Sequence, residues 1–237
     1  MIFSENKIVI TKDNIYKLKE KTLQSINLKD KIFFDKPLEI LILEEDMYIE
    51  TIDIPVCNIK TIEKIIYNHI KERFLNWDEL LFDYSIINKS STGYKIVFYC
   101  IDSKELSKLR CLNEKIRISN IKIFQHVIEE ESNKLIKDQQ YIICTLFNKR
   151  FYIYFIFKGV IISGATFYKD KLTYKNIEEY VLSLKNTAAE LNIKENINIW
   201  QIDFNLKFKP ANLRKYRCME DICLNIEEKE TFHIGIS

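Results

Sequence analysis

Tyr141-Ile142-Ile143-Cys144-Thr145-Leu146-Phe147, then Asn148-Lys149, then Phe151-Tyr152-Ile153-Tyr154-Phe155-Ile156-Phe157, then Lys158-Gly159, then Val160 to Phe167, is the stretch that decides how the chain folds. Three runs of aliphatic and aromatic residues are separated by short polar or glycine-containing breaks, which reads as an antiparallel meander. Downstream, Ile177, Val181, Leu184, Ala188 and Leu191 recur at helical spacing, so an amphipathic helix follows the meander. Ile197 to Phe204 returns to a strand. A short helix is predicted after Pro210, then strands at Ile222–Ile226 and Phe232–Ile236.

The first half reads in the same vocabulary. Lys7-Ile8-Val9-Ile10 is a strand, and Asp13 caps a predicted helix carrying Ile15, Leu18 and Leu23. Leu38 to Leu43, a charged turn at Glu44-Glu45-Asp46, and Tyr48 to Ile54 read as two strands, stopped by Pro55. Ile59, Ile62, Ile65, Ile66, Ile70 and Phe74 then fall on one helical stripe, with Lys60, Glu63, Lys64, Lys71 and Glu72 outside it. Phe82–Ile87 and Tyr94–Ile101 form a hairpin around the polar linker that ends in Gly93. Asp102 and Glu105 open a short helix with Leu106 and Leu109, and Ile116 to Phe124 is another strand. Residues 78–127 thus read as a compact ββαβ piece, followed by a short polar helix from Glu129 to Lys137. Meander-then-helix at 38–74 and again at 141–191 suggests a structural duplication, hence two α/β lobes with mixed sheets.

Composition removes several chemistries. The chain has 237 residues, long enough for one large domain or two lobes, with 36 Lys+Arg against 34 Asp+Glu. Only 4 residues are Gly, where an average chain has about 7%. Gly93, Gly159, Gly164 and Gly235 make neither a Walker A loop nor a dinucleotide fingerprint. Gly159 and Gly164 read as turns beside strands. The six cysteines, Cys57, Cys100, Cys111, Cys144, Cys218 and Cys223, contain no C-x-x-C pair and several sit inside apolar runs, so reduced, unmetallated thiols are expected. No signal peptide or membrane-spanning run is visible.

No residue set forms a catalytic pattern. His69 flanks the apolar stripe and reads as a packing residue, His126 ends a strand, and His233 lies in the last one. Asp53 and Asp83 read as solvent-facing strand positions. Lys207, Lys209, Arg214, Lys215 and Arg217 interleave with Phe208 and Tyr216, the pattern a nucleic-acid or anionic-membrane surface would use, but the overall charge is nearly balanced. Trp77, in the polar segment Asn76-Trp77-Asp78-Glu79, sits at a junction between elements, where an amphipathic ring serves as a packing lid or a partner anchor.

Four stretches carry a resemblance. These are Ile49 to Pro55 with the long helix after it; Leu80-Leu81-Phe82-Asp83-Tyr84 with Tyr94 to Cys100; Tyr141 to Phe167; and Phe232-His233-Ile234-Gly235. Their order resembles the PilM-type proteins of type IV pilus assembly and the related GspL cytoplasmic domain of type II secretion, kin to the cell-division protein FtsA. The resemblance implies an α/β, actin-like fold of ribonuclease H-like duplicated lobes. On that plan residues 1–77 are a first lobe reduced at its N-terminus, its opening hairpin missing or reduced. Residues 78–127 are a small inserted subdomain, and 128–237 are the second lobe.

In ATP-binding members an Asp-x-Gly turn in each lobe faces the phosphates. The second-lobe turn would fall around Cys144–Phe147, with neither Asp nor Gly in register, the first-lobe turn belongs to the opening hairpin, and the family's later Gly-Gly loop would fall near Ile202–Asn205, again without Gly. The resemblance therefore implies a non-enzymatic scaffold without cofactor or metal. It would stand at the cytoplasmic face of the membrane, and its partner would be the short cytoplasmic segment of a PilN-like bitopic protein. The expected docking surface lies beside the inserted piece, with Trp77, Phe82 and Tyr84 as contact residues. The rival reading is an ATP-using enzyme of the same superfamily.

Overall fold

The computed structural model describes residues 7–12, 14–19, 22–26, 37–43, 46–102, 104–107, 109, 117–191, 193, 197–205 and 208–216. Two five-stranded sheets carry the lobes. The first joins β1 (Lys7–Ile10), β2 (Ile15–Lys19), β3 (Thr22–Ser25), β4 (Leu38–Ile42) and β8 (Ile118–Ile123) in the order β3-β2-β1-β4-β8. The second joins β9 (Gln140–Phe147), β10 (Arg150–Phe157), β11 (Val160–Tyr168), β12 (Asn198–Phe204) and β13 (Pro210–Tyr216) in the order β11-β10-β9-β12-β13. Each sheet is an antiparallel meander whose first strand pairs on its other side, in parallel, with the fourth. The fifth strand differs: β8 runs parallel to β4, whereas β13 turns back antiparallel on β12 across a short loop.

The opening meander overturns two sequence expectations. The segment carrying Ile15, Leu18 and Leu23 is a hairpin and not a helix, and the first lobe keeps its opening hairpin. Leu18 and Leu23 are cross-strand partners, so their spacing reflects a turn between two strands. Asp13, the expected cap, lies outside the described residues.

A third sheet, β5-β7-β6, is built from β5 (Tyr48–Pro55), β6 (Leu80–Lys89) and β7 (Gly93–Asp102). The helix α1 (Ile59–Arg73) packs Ile62, Ile66 and Ile70 on it, against Ile96, Phe98 and Cys100. Asn58 caps α1, its side chain accepting from the Thr61 amide, and Lys71 and Arg73 suit the negative helix end. This redraws the inserted piece. It takes in β5 and α1, and releases Ile118–Ile123 to the first lobe. The strands expected to pair across Glu44–Asp46 do not. β4 lies between β1 and β8, while β5 pairs with β7 from Tyr48↔Cys100 to Pro55↔Gly93. The short α2 (Lys104–Ser107) begins after Asp102, whose carboxylate accepts from the Lys104 amide.

Between the lobes runs α3 (Phe124–Leu135). It begins five residues before the expected polar helix, because Phe124, Val127 and Ile128 recur at i, i+3, i+4 and are buried. His126 consequently lies on this helix and not at a strand end. The Phe124 ring sits 4.6 Å from Phe147, 5.1 Å from Tyr152 and 5.3 Å from Phe204, and the same core reaches Val9, Leu41 and Leu43 of the first sheet. On the far face of the second sheet, α4 (Tyr174–Glu190) buries Ile177, Val181, Leu184 and Ala188 as its spacing predicts.

Gly159 is in a turn, with φ +79°, but Gly164 is not. It sits within β11 opposite Tyr154, where a Cβ would meet the Tyr154 ring at 1.8 Å. The helix expected after Pro210 is the strand β13, which Pro210 opens at a position needing no amide donor. The strands expected at 222–226 and 232–236, with His233, lie outside the described residues.

Candidate docking groove

β6 ends the small sheet and β8 ends the first, and residues of both strands line a cavity of about 290 Å³. Leu81, Phe82 and Asp83 of β6, Tyr99 and Ile101 of β7, Ile121 and Ile123 of β8, and His126 of α3 line it. Leu81 is 39% exposed, Phe82 36%, Ile121 39% and nearby Ile118 49%, so both rims present apolar side chains to water. Strands that end a sheet also offer unpaired backbone donors and acceptors. An apolar channel between two such edges suits an extended polypeptide, whose main chain can pair with an edge while alternate side chains enter the channel.

Tyr99 and His126 are the less exposed polar groups of the lining, and Asp83 is open to water. His126 stands edge-on to Tyr99 with centroids 5.4 Å apart. Burial lowers its pKa, against the pull of Asp83 and Glu130. Tyr99 is held firmly protonated, by burial first and then by the charge of Glu129. Its hydroxyl donates to the Ile161 carbonyl of the second lobe at 2.9 Å. Lys122 is occupied by Glu130 at 2.5 Å.

The three contact residues expected from sequence separate here. Phe82 lines the groove. Trp77, in a 3-10 turn after α1, packs edge-on against Tyr67 at 5.3 Å and lies beneath the Lys71 ammonium at 5.2 Å. Tyr84 joins Leu80 and Ile86 in packing toward α1. Strand alternation signals part of this, since Leu81 and Asp83 must face away from Leu80 and Tyr84. The contributions of Ile121, Ile123 and His126 had no such signal, because they come from a strand paired elsewhere and from a helix.

Other expected features resolve into structure. His69 Nε2 donates to Glu50 Oε2 at 3.1 Å, and its ring stands edge-on to Phe98. Glu50 also takes Arg73 at 2.7 Å and the Tyr48 hydroxyl at 2.7 Å, which pins the end of α1 to β5. Asp53 and Asp83 are exposed and on different strands, Asp53 pairing with Lys95 at 3.4 Å. Phe208 is 1% exposed and Lys215 covers the Trp200 ring, so neither ring is an open stacking platform; Lys207 and Arg217 lie outside the described residues. Among the described residues no cluster of His, Cys, Asp or Glu could hold a metal. No helix among them is long and apolar enough to cross a membrane.

The first hairpin turn of the second lobe is Asn148-Lys149, with φ 47° and 62°, just beyond the Cys144–Phe147 positions, and it contains no glycine.

No known family profile matches the sequence, and no curated protein matches it. Solved structures do. A chain of the PilM–PilN type IV pilus biogenesis complex superposes with a TM-score of 0.50 at 9% identity, covering 92% of this chain and 81% of that one. The cytoplasmic domain of EpsL, an inner membrane component of the type II secretion system of Vibrio cholerae, gives 0.48 at 7%, covering 96% of each chain. A Bacteroides thetaiotaomicron protein with an actin-like ATPase fold gives 0.45 at 11%, covering 94% and 88%. At such identities the likeness is one of fold. The superposition on the PilM–PilN chain, with the strand order repeated in both sheets, makes the chain an α/β protein of two duplicated lobes, similar in fold to the PilM–PilN structure.

Proposed function

We propose that the chain is a non-catalytic scaffold that captures an extended segment of a membrane protein in the groove between β6 and β8. The observation that carries this reading is the groove itself, a cavity lined from β6, β7, β8 and α3 with exposed apolar side chains on the two sheet-ending strands. The fold shared with a chain of a PilM–PilN complex supplies the partner class: the cytoplasmic segment of a PilN-like bitopic protein. The scaffold then works at the cytoplasmic face of a membrane, in type IV pilus or type II secretion assembly.

The rival, an ATP-using enzyme of the same architecture, needs an open cleft between lobes and backbone turns able to wrap phosphates. Here the core between the lobes is packed with Phe124, Phe147, Phe204 and Phe208, and the turn at Asn148-Lys149 has no glycine.

The test is a titration of the labelled cytoplasmic segment of a PilN-like bitopic protein from the same organism, followed by fluorescence anisotropy. Ile121→Glu places a charge on the exposed rim at little cost to folding and should weaken binding at least tenfold. Equal affinity of the well-folded variant and the parent would exclude the groove.

A further inference from the structure

The described lining of the groove contains a single carboxylate, Asp83, and neither lysine nor arginine. The register of the small sheet fixes its place. Leu81 pairs with Ile101 and Asp83 with Tyr99, so these four residues share one face. The lining beside the carboxylate is apolar: Ile101 is 8% exposed and Ile123 of β8 is 4% exposed, and the two belong to one buried cluster.

Asp83 has been left without a counterion. The same face of the sheet carries a second aspartate, Asp53, but its cross-strand neighbour is Lys95, whose ammonium lies at 3.4 Å. The cross-strand neighbour of Asp83 is Tyr99, a phenol that donates to the Ile161 carbonyl instead. Lys122 of β8 is engaged by Glu130 at 2.5 Å, and Lys104, just beyond β7, by Asp102 at 3.0 Å and Glu79 at 3.6 Å. His126 brings no compensating charge, because burial lowers its pKa. Among the described residues the Asp83 carboxylate makes no ion pair, and it accepts the amide of its own neighbour, Tyr84, at 2.8 Å.

In the free chain water solvates this carboxylate. A segment lying over Leu81, Ile101 and Ile123 excludes that water, and a carboxylate desolvated without a partner opposes the apolar contacts beside it. A cation on the incoming segment removes the penalty, and a second carboxylate deepens it. Spacing places that cation. Alternate residues of an extended chain fall on one side about 6.6–6.8 Å apart, the same step that separates Leu81 from Asp83. A segment running along β6 with an apolar side chain at Leu81 therefore brings the residue two positions away to Asp83.

We infer that Asp83 selects the occupant of the groove: it receives the ammonium or guanidinium of a lysine or arginine two positions from an apolar anchor, in an extended and otherwise apolar segment. This rests on the groove reading and narrows it to partners of that pattern.

The experiment is fluorescence anisotropy of the labelled cytoplasmic segment of a PilN-like bitopic protein from the same organism, titrated with the parent, Asp83→Asn, Asp83→Lys and Ile121→Glu at low and high salt. Asn keeps an oxygen to accept the Tyr84 amide, so Asp83→Asn removes the charge and not the local bond. It should weaken binding about tenfold at low salt and by less at high salt, and Asp83→Lys should weaken it further. Each lysine and arginine of the segment is then replaced by Gln in turn. One replacement, two positions from an apolar residue, should cost the parent the same tenfold and cost Asp83→Asn nothing more, and Glu at that position should restore binding to Asp83→Lys. A parent that does not bind the segment overturns the groove reading and this inference with it. Weakening by Ile121→Glu but not by Asp83→Asn, equal binding of a segment stripped of every lysine and arginine, or additive losses from Asp83→Asn and every Gln replacement would leave the groove standing and overturn selection by Asp83.

Discussion

The ammonium of Lys7, on the first strand of one lobe, lies 5.3 Å from the centre of the Phe208 ring, in the β12–β13 loop of the other. Phe208 reaches this place with φ at 57°, a left-handed conformation held by its amide donating to the Asn205 carbonyl at 2.8 Å. The ring also faces Phe124 and Phe147 at 6.0 and 5.5 Å, so it helps to close the space between the lobes.

Phe208→Ala should therefore destabilise the fold by about 3–5 kcal/mol, the usual cost of emptying a buried aromatic site. The parent, with this space filled, should not take up ATP·Mg. Ligand at 100 times its Kd would add about 2.7 kcal/mol, a shift of several degrees in a thermal melt of a chain this size. A shift of that size with millimolar ATP·Mg, absent with Mg alone, would restore the enzymatic reading.

Lys7 gives a pH signature on the alkaline side. It is 6% exposed, and burial lowers its pKa to about 8, against the opposing pull of Glu39 and Glu130. The folded state thus disfavours the charged amine. The penalty is fully present below about pH 8 and disappears as pH rises toward 10.5, the ordinary lysine value. Stability should rise over that window by at most about 3 kcal/mol. Urea melts of the parent against Lys7→Met, at pH 7.5 and 10, should show the rise in the parent and a smaller one in the variant.

Gly164 should not tolerate a side chain. The Cβ of Gly164→Ala would fall 1.8 Å from a Tyr154 ring that is 1% exposed and hydrogen-bonded to Thr166 at 2.9 Å. Overpacking of this kind costs about 1–3 kcal/mol. A loss of stability in Gly164→Ala that Gly164→Ala/Tyr154→Leu largely recovers would confirm ring contact as the cause. No recovery would mean that the strain lies in the backbone.

The cysteines should divide by burial. Cys100 and Cys144 are buried, and burial pushes the Cys100 thiol up to about 12, whereas Cys57 is half-buried. Under native conditions at pH 8, alkylation should reach Cys57 well before the other two. Denatured without reductant, the chain should take up six labels, and mass spectrometry showing fewer would reveal a disulfide.

The local pattern of the sequence determined those elements whose partners are neighbours in the chain. The second-lobe meander was legible because each strand pairs with the next across a two-residue turn, Asn148-Lys149 or Lys158-Gly159. The stripe of α1 and the β6–β7 hairpin were legible for the same reason. Pairings that depend on distant residues were not. β5 follows β4 in sequence yet joins β7, and β8 leaves the hairpin before it to lie beside β4. Nothing local distinguishes those choices, because any apolar strand can satisfy the backbone of any other. The meeting of Ile121 and Ile123 on one side with Tyr99 and Ile101 on the other is decided when the lobes assemble around α3. The groove is lined by strands and a helix brought together from separate parts of the chain, and only the tertiary structure makes it.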